Sequence, residues 1–233
     1  MKYAEIRQQT LKANLEIVRA GLVLLTWGNA SVRHPEKSLF AIKPSGIAYD
    51  DLSAEAMVVV SLESGEVVEG NYNPSSDTPT HLELYRAFAG IGAVVHTHSH
   101  FAVVCAQARV PIVLQGTTHA DNFRYDIPVT RTMTEAEVTG AYEVETGRVI
   151  VERFTSAGLN PLEVPGALVA NHGPFAWGAD ARSAVENAIV LEESARMYYH
   201  TATLNPDAGR APHYLSEKHF LRKHGKDAYY GQR

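Results

Sequence analysis

The stretch IGAVVHTHSH, residues 91–100, is an apolar run that ends in histidines at every second position. The apolar part predicts a buried strand, and side chains along a strand point alternately to the two faces of its sheet. His96 and His98 should therefore point the same way, with their ring nitrogens close together. Histidines also hydrogen-bond to backbone carbonyls at strand ends, so this pair alone is a weak indication of a metal site.

Segments with helical and strand-like patterns alternate on both sides of this stretch. The spacing of apolar residues predicts a first helix over 4–18, and Gly21 follows as its terminator. Further helices are predicted at 77–88, 100–108, 179–204 and in part of 216–233. Strand-like runs are 22–27, 38–43, 56–62, 66–70, 91–98 and two within 165–178.

These elements predict the fold class and limit the histidine cluster. Strands in hairpins with helices between them predict an α/β fold, with a central, mainly antiparallel sheet flanked by helices on both faces, as a single domain over 1–233. Ser99 is expected to cap the helix that follows the quoted strand. His100 would then lie in the first helical turn, so the strand alternation does not supply a third histidine.

Composition restricts the possible partners. The chain has 233 residues, a net charge of −5, and 21 lysines and arginines that are scattered along it, which argues against nucleic acid as a partner. An anionic ligand would need specific hydrogen-bond donors, because the overall charge repels it. A single cysteine, Cys105, and the lack of a long apolar segment or a secretion signal predict a soluble cytoplasmic protein that does not contact membranes.

The third imidazole is predicted at another strand end. His172 follows the apolar run ALVA, so it should lie where loops gather. Three imidazoles with an open position suit zinc, although manganese or iron remains open from ligand type alone. Asp77 is the candidate oxygen ligand, and its ordinary interpretation is a helix N-cap.

Three polar turns favour an anion site near Asp77. They are Thr26–Ser31, Lys43–Gly46 and Asn73–Thr78, and each combines small residues with polar donors. Lys43 adds the positive charge that the overall balance lacks. Each turn alone is ordinary, but together they predict a phosphate cradle at a helix start.

Seven motifs, in this order along the chain, together resemble the class II aldolase family: LTWGNAS, IKPSG, PSSDTPTH, VVHTHS, GTTHAD, HGPFAWG and KHFLRKHGKDAYYGQ. Within that family the set is most similar to the L-ribulose-5-phosphate 4-epimerases. The resemblance implies a sheet between layers of helices, a homotetramer and active sites between subunits. It also implies a zinc cofactor held by His96, His98 and His172, with Asp77 near or in the coordination shell.

For the chemistry, the resemblance implies that a sugar phosphate is cleaved between its third and fourth carbons and rejoined with inversion. Asp121 and Tyr230 would exchange the proton of the fourth-carbon oxygen, both supplied by a neighbouring subunit, so that the C-terminal tail contributes to the active site. The residues alone leave open whether Tyr229 or Tyr230 is the donor. The implied phosphate-binding residues are Gly28, Asn29, Lys43, Ser45, Gly46, Ser75 and Ser76.

Two other activities within this family compete with epimerisation. A sister aldolase of the fuculose- or rhamnulose-phosphate type would release both halves of the sugar, and there the position of Asp77 is a glutamate that acts as a base. The adducin head shares the fold without the chemistry, and it should lack the zinc histidines, which are present here. Epimerisation, with arabinose breakdown as its usual setting, is therefore the first expectation.

Overall fold

A computed structural model describes residues 2–231 of the chain. Its strands are β1 (Asn29–Arg33), β2 (Leu39–Ile42), β3 (Val58–Ser61), β4 (Val67–Glu69), β5 (Ala93–His96), β6 (Gly166–Val169) and β7 (Gly173–Gly178). Its helices are α1 (Ala4–Arg19), α2 (Thr78–Ala87), α3 (His100–Ala108), α4 (Thr117–Ala120), α5 (Glu135–Thr139), α6 (Tyr142–Ala157), α7 (Ala181–Leu204) and α8 (His213–His224). None of the helices described is long and apolar enough to cross a membrane.

The seven strands form one antiparallel sheet in the order β4-β3-β2-β1-β5-β7-β6. Every residue of β5, β6 and β7 is buried. Because successive side chains in a strand point to opposite faces, this burial requires cover on both faces of the sheet. The predicted fold class, an α/β domain with a central antiparallel sheet flanked by helices, is confirmed.

The central strands of this sheet start or end along one side, which is called this edge of the sheet below. β5 ends at His96, which is paired with Asn29 at the start of β1 and with Phe175 near the start of β7. β2 ends one residue before Lys43 on the same edge. Neighbouring antiparallel strands place one start beside one end, so residues distant in sequence meet here.

The prediction of a strand over 22–27 is wrong. This segment is a loop, in which Leu24 and Leu25 are exposed and Leu25 has a φ of 53°. The strand begins only at Asn29, in NASVR, where four consecutive buried residues hide the alternating pattern. The predicted strand over 91–98 is also shorter, because β5 ends at His96.

Candidate metal and phosphate site

The three predicted histidines converge at the side of the sheet where β5 ends beside the starts of β1 and β7. Ring nitrogens of His96, His98 and His172 all lie within 4.8 Å of one another. The Nε2 atoms of His96 and His98 are 3.1 Å apart. His96 ends β5 and His98 lies just beyond it, so the predicted common direction of the two rings holds even though the strand is shorter.

A backbone contact orients one of these rings, and a side-chain contact orients another. His96 Nδ1 donates a hydrogen bond of 3.0 Å to the carbonyl of Pro174, which leaves the lone pair of Nε2 toward the other histidines. Its ring also stacks on Phe175 at 4.2 Å between centroids. His172 follows Asn171, whose left-handed backbone (φ 63°) turns the chain between β6 and β7, and its Nδ1 lies 3.2 Å from the hydroxyl of Tyr142.

Desolvation favours the neutral form of these imidazoles, of which His96 is buried, His172 half-buried and His98 exposed at the mouth of the pocket. Desolvation lowers the pKa of His96 and His98, and it lowers the pKa of His172 to about 3. Neutral nitrogens with lone pairs directed at a common point repel each other unless a proton or a cation lies between them. The donor set therefore fits a divalent metal of zinc type, with a hydrogen-bonded outer shell already in place.

Asp77 lines the same pocket but is not capping its helix. It occupies the N-cap position of α2, as its ordinary interpretation predicts, but its side chain makes no cap hydrogen bond. Its carboxylate instead accepts a hydrogen bond of 2.7 Å from the side-chain amide of Asn29. Burial would raise the pKa of Asp77, but the charge interactions with His96 and His81 and this hydrogen bond outweigh it and lower the pKa. Asp77 lies outside the group of ligand atoms that the three histidines form.

A buried hydrogen-bonded chain lies behind this carboxylate. Tyr85 Oη is 2.8 Å from Ser31 Oγ, which is 2.7 Å from His81 Nδ1. His81 is fully buried, and its pKa is lowered to about 3 mainly by desolvation. The neutral, buried ring of His81 fits a structural role.

The phosphate turns also meet at this edge. Ser45 N–H donates to the carbonyl of Asn73 and Ser75 N–H donates to the carbonyl of Lys43, both at 2.9 Å, so the two turns are held together. Gly46 has a φ of 69° and open space where a Cβ would stand, which leaves room for a ligand near the backbone.

Gly28 is required by the path of the chain. A Cβ at this position would come within 2.8 Å of the His96 carbonyl, and its φ is 96°. Glycine is therefore needed for β1 to enter beside the end of β5, and its predicted contact with phosphate stays a prediction.

Lys43 places a buried positive charge in this cradle. It is 2% exposed, and burial lowers its pKa. Its ammonium contacts the carbonyl of Pro44 at 3.3 Å and the ring of Tyr49 at 4.9 Å, and it has no ion pair with a carboxylate among residues 2–231. A buried ammonium without a counterion favours an anionic ligand.

One pocket of about 420 Å³ unites the histidines and the cradle. All seven predicted phosphate-binding residues and all four predicted metal residues line it. Tyr142 and Glu143, which the sequence patterns had not indicated, also line it. They begin α6, a helix that was not predicted, and no motif around them carries a recognisable ligand pattern.

Asp121 and Tyr230 belong to a second cluster, built from α4, α8 and the tail. The carboxylate of Asp121 accepts hydrogen bonds from Arg222 Nε at 3.1 Å, Arg222 Nη2 at 2.7 Å and His219 Nδ1 at 3.0 Å. Burial raises the pKa of Asp121, but the hydrogen bonds from Arg222 and His219 prevail and lower it. Tyr230 stacks under the Arg222 guanidinium at 4.7 Å and is 58% exposed.

This second cluster does not line the histidine pocket of its own chain in the part that the structure describes. The structure therefore brings the two predicted proton-transfer residues together through Arg222, but apart from the histidines. Tyr229 is also exposed, and its ring lies 5.8 Å from the ammonium of Lys218.

Fold and pocket together define a known class of protein. Residues 8–199 match the family model described as "Class II Aldolase and Adducin N-terminal domain". The chain belongs to this class II aldolase and adducin family.

Solved structures of similar fold include the following three. An L-fuculose 1-phosphate aldolase is 27% identical with a TM-score of 0.77, over 94% of this chain and 96% of that one. An L-fuculose-1-phosphate aldolase from Thermus thermophilus is 24% identical with a TM-score of 0.66, over 89% and 98%. YgbL from Klebsiella pneumoniae, described as a putative aldolase/epimerase/decarboxylase, is 24% identical with a TM-score of 0.73, over 94% and 99%.

Proposed function

We propose that this protein is a zinc-dependent 4-epimerase that interconverts L-ribulose 5-phosphate and D-xylulose 5-phosphate. The observation that carries the proposal is one pocket with two adjacent parts. Three imidazoles converge in one part, and a buried ammonium, Lys43, lies with two serine-bearing turns in the other. A sugar phosphate has the matching pair of features, since its oxygens suit a metal and its phosphate suits a buried cation.

The phosphate end of the substrate is held by the cradle. Lys43 supplies the charge, and the hydroxyls of Ser45, Ser75 and Ser76 supply short hydrogen bonds. Fixing this end places the carbons of the sugar toward the histidines. Such positioning increases the rate because the entropy of bringing the reacting groups together is lost on binding and not in the chemical step.

His96, His98 and His172 would hold the metal, with Asp77 beside it. Zinc in that position supplies a Lewis acid that stabilises negative charge on substrate oxygens when the bond between the third and fourth carbons breaks. Asn29 keeps the Asp77 carboxylate in place by the hydrogen bond of 2.7 Å, and Pro174 keeps His96 in the ligating tautomer.

Asp121 and Tyr230 of a neighbouring copy would handle the proton of the fourth-carbon oxygen. Asp121 is ionised at neutral pH, as its lowered pKa only reinforces, so it can accept this proton as the carbon–carbon bond breaks. Tyr230 donates a proton to the same oxygen when the bond forms again on the other face. This division requires an assembly, for which we propose a homotetramer with a site at each interface. A cytoplasmic location and a part in arabinose breakdown remain predictions from the sequence.

The second candidate is an aldolase that releases both halves of a related sugar phosphate. The similarity to an L-fuculose 1-phosphate aldolase over nearly the whole chain favours it. The aspartate at position 77 and the Asp121–Tyr230 pair favour the epimerase, because inversion needs a proton acceptor and a proton donor on opposite sides of the substrate.

One experiment separates these activities. Purified protein loaded with zinc is given L-ribulose 5-phosphate, and both D-xylulose 5-phosphate and free glycolaldehyde phosphate are measured over time. Formation of xylulose 5-phosphate without released aldehyde is expected, with loss of the activity in a chelator and recovery on addition of zinc. Accumulation of free aldehyde, or cleavage of L-fuculose 1-phosphate at a higher rate, would instead identify an aldolase.

A further inference from the structure

The loop over residues 22–27, between α1 and β1, exposes large apolar side chains and is called the apolar loop below. Leu24, Leu25 and Trp27 are each more than half exposed. Single exposed apolar residues are common on protein surfaces and need no explanation. Three of them close together in one short loop instead indicate a surface that contacts another molecule.

The backbone of the apolar loop holds Leu25 in an unfavourable conformation. Its φ is 53°, in the left-handed region that residues other than glycine rarely adopt. The ends of the loop are fixed, because Leu22 is buried and the carbonyl of Gly28 accepts a hydrogen bond of 2.8 Å from the Tyr49 hydroxyl. The loop therefore combines backbone strain with exposed apolar surface, and a contact with another molecule would offset both.

The apolar loop borders the mouth of the histidine pocket. Trp27 lines this pocket, and its ring lies 6.4 Å from the ring of the exposed His98, measured between centroids. A molecule that covers the loop would therefore also cover the mouth of the pocket. The proposed function, on which this docking surface rests, needs the Asp121 cluster of a neighbouring copy at the same mouth.

The Asp121 cluster carries apolar surface that its own chain leaves uncovered. Its exposed apolar residues are Leu221, Tyr229 and Tyr230. The Tyr229 ring faces the ammonium of Lys218, and the Tyr230 ring faces the guanidinium of Arg222. These contacts hold the two rings at the surface, and more than half of each tyrosine stays open to a partner.

The charges of the two surfaces are opposite. The mouth has two carboxylates, Asp77 and Glu143, against one ammonium, Lys43. The turn that is hydrogen-bonded to the end of the loop adds the exposed Asp50 and Asp51. The Asp121 cluster has more cations than carboxylates, and its charged residues are Lys218, Arg222, Lys223, Lys226, Asp121 and Asp227. Opposite charges favour the docking of this cluster at the mouth over the docking of two mouths on each other.

We propose that the apolar loop is the surface on which the Asp121 cluster of a second copy of this chain docks. Leu24, Leu25 and Trp27 then pack against the exposed apolar residues of that cluster. The contact covers the mouth of the histidine pocket and holds the Asp121 carboxylate of the second copy close to it.

Leu25→Asn tests the loop, because it relieves the backbone strain and weakens the contact at the same time. Asparagine adopts the left-handed conformation more readily than leucine does, and its side chain is polar. Circular dichroism of the variant should therefore show an unchanged fold. The concentration at which the assembly dissociates, measured by ultracentrifugation of a dilution series, should rise about tenfold or more. If Leu25→Asn does not fold, Leu25→Gly replaces it with the same expected direction.

Two further variants locate the contact. Leu221→Asn changes the other side of the proposed contact and should raise the dissociation concentration in the same way. Leu162→Asn is the matched control, because Leu162 is also an exposed loop leucine but lies against Gly90, which precedes the start of β5 and is away from the mouth. Its dissociation concentration should equal that of the wild type.

Tryptophan fluorescence reports on the loop independently of activity. The chain has two tryptophans, and Trp177 is fully buried, so a change of emission on assembly is assigned to Trp27. The emission of the wild type should shift to shorter wavelength as the copies assemble, because Trp27 moves from water into an apolar contact. The shift should appear only at higher concentration in Leu25→Asn.

The outcomes separate this docking surface from the proposed reaction. If Leu25→Asn or Leu221→Asn assembles like the wild type, or if the emission does not change on assembly, the proposed docking is overturned and the proposed reaction is unaffected. If the wild type stays a single chain at every concentration, the docking and the shared site are both overturned. If dissociated Leu25→Asn chains keep the full rate on L-ribulose 5-phosphate, the docking surface is supported and the sharing of the active site between copies is overturned.

Discussion

The histidine pocket and the Asp121 cluster are built in opposite ways. The pocket is formed at strand ends, desolvation favours the neutral form of its rings, and the innermost ring, His96, is buried and held by the carbonyl of Pro174. The Asp121 cluster is formed by a helix and a tail near the surface, and it is held by charged hydrogen bonds from Arg222. Tyr230 within it is 58% exposed.

This difference indicates how the two parts would share a reaction. A metal site gains from rigid, dry surroundings that hold its ligands before the metal arrives. A pair of proton-transfer groups placed near the surface can be offered to another molecule. We therefore infer that the pocket is completed by the Asp121 cluster of a neighbouring copy, and the predictions below test this division.

His96→Asn should have the largest effect. It removes a proposed metal ligand without changing the strand pairing of β5, so zinc content should fall to a small fraction of one per chain. Loss of the Lewis acid costs several kcal/mol of transition-state stabilisation, which corresponds to a rate that is lower by a factor of about 10³ or more. Metal analysis measures the zinc content, and an assay on L-ribulose 5-phosphate measures the rate. His100→Asn is the control, since His100 is exposed at the start of α3, and full turnover by metal-free His96→Asn would contradict the Lewis-acid role.

Tyr230→Phe should reduce epimerisation about 10²-fold, the usual contribution of a positioned proton donor. Zinc content should not change, because Tyr230 does not line the histidine pocket of its own chain. Tyr229→Phe is the matched control one residue away, and a larger loss there would transfer the donor role to Tyr229.

Mixing the two defective proteins tests whether the site crosses an interface. In an assembly of His96→Asn and Tyr230→Phe chains, about a quarter of the interfaces would join an intact pocket to an intact tail if the chains mix at random. Activity should rise to about that fraction of the wild-type rate, after the chains are denatured and refolded together. No recovery, with mixed assemblies verified by mass, would place both parts of the site in one chain.

Arg222→Lys should cause a smaller loss of about tenfold. Lysine keeps the charge but not the paired hydrogen bonds that Arg222 makes to Asp121. With fewer hydrogen bonds, the pKa of Asp121 should rise toward its ordinary value, and the acidic limb of the rate profile should move to higher pH. Arg210→Lys, at an arginine that pairs with Asp126 outside this cluster, is the control. An unshifted profile would show that Arg222 does not position Asp121.

Much of the fold and of the histidine pocket was predictable because their residues follow local rules. β5, α3, β6, β7 and α7 carry clear periodicity or capping residues, and the histidines stand where apolar runs end. The sheet then needs no more than antiparallel pairing to bring His96 and His172 together. The meeting of the phosphate turns was also predictable, because each of them combines small residues with polar donors.

Other features depend on contacts that no local pattern contains. The hydrogen bond between Asn29 and Asp77 joins residues 48 positions apart, so the sequence could not show that this carboxylate accepts from Asn29 instead of from the backbone of its own helix. Tyr142 reaches His172 from a helix whose start carries no motif. Arg222 contacts Asp121 across 101 positions, and only packing of α8 on α4 creates that contact.

A prediction of a different kind, on stability instead of rate, concerns the metal-free protein at acidic pH. His81, His119 and His172 have pKa values lowered to about 3, 4 and 3 by burial, whereas in the unfolded chain a histidine titrates near about 6.5. Between these values the unfolded chain binds more protons, so the free energy of unfolding should fall as pH decreases from about 6.5 toward 4. Denaturant titrations with a chelator present measure this slope. His119→Gln should reduce the slope by about one proton, because His119 lies outside the histidine pocket and its loss leaves the other two rings in place. A free energy of unfolding that stays constant from pH 7 to about 5 would mean that the rings take up protons equally in the folded and the unfolded chain, and the neutral pocket that distinguishes this edge of the sheet from the charged Asp121 cluster would not exist.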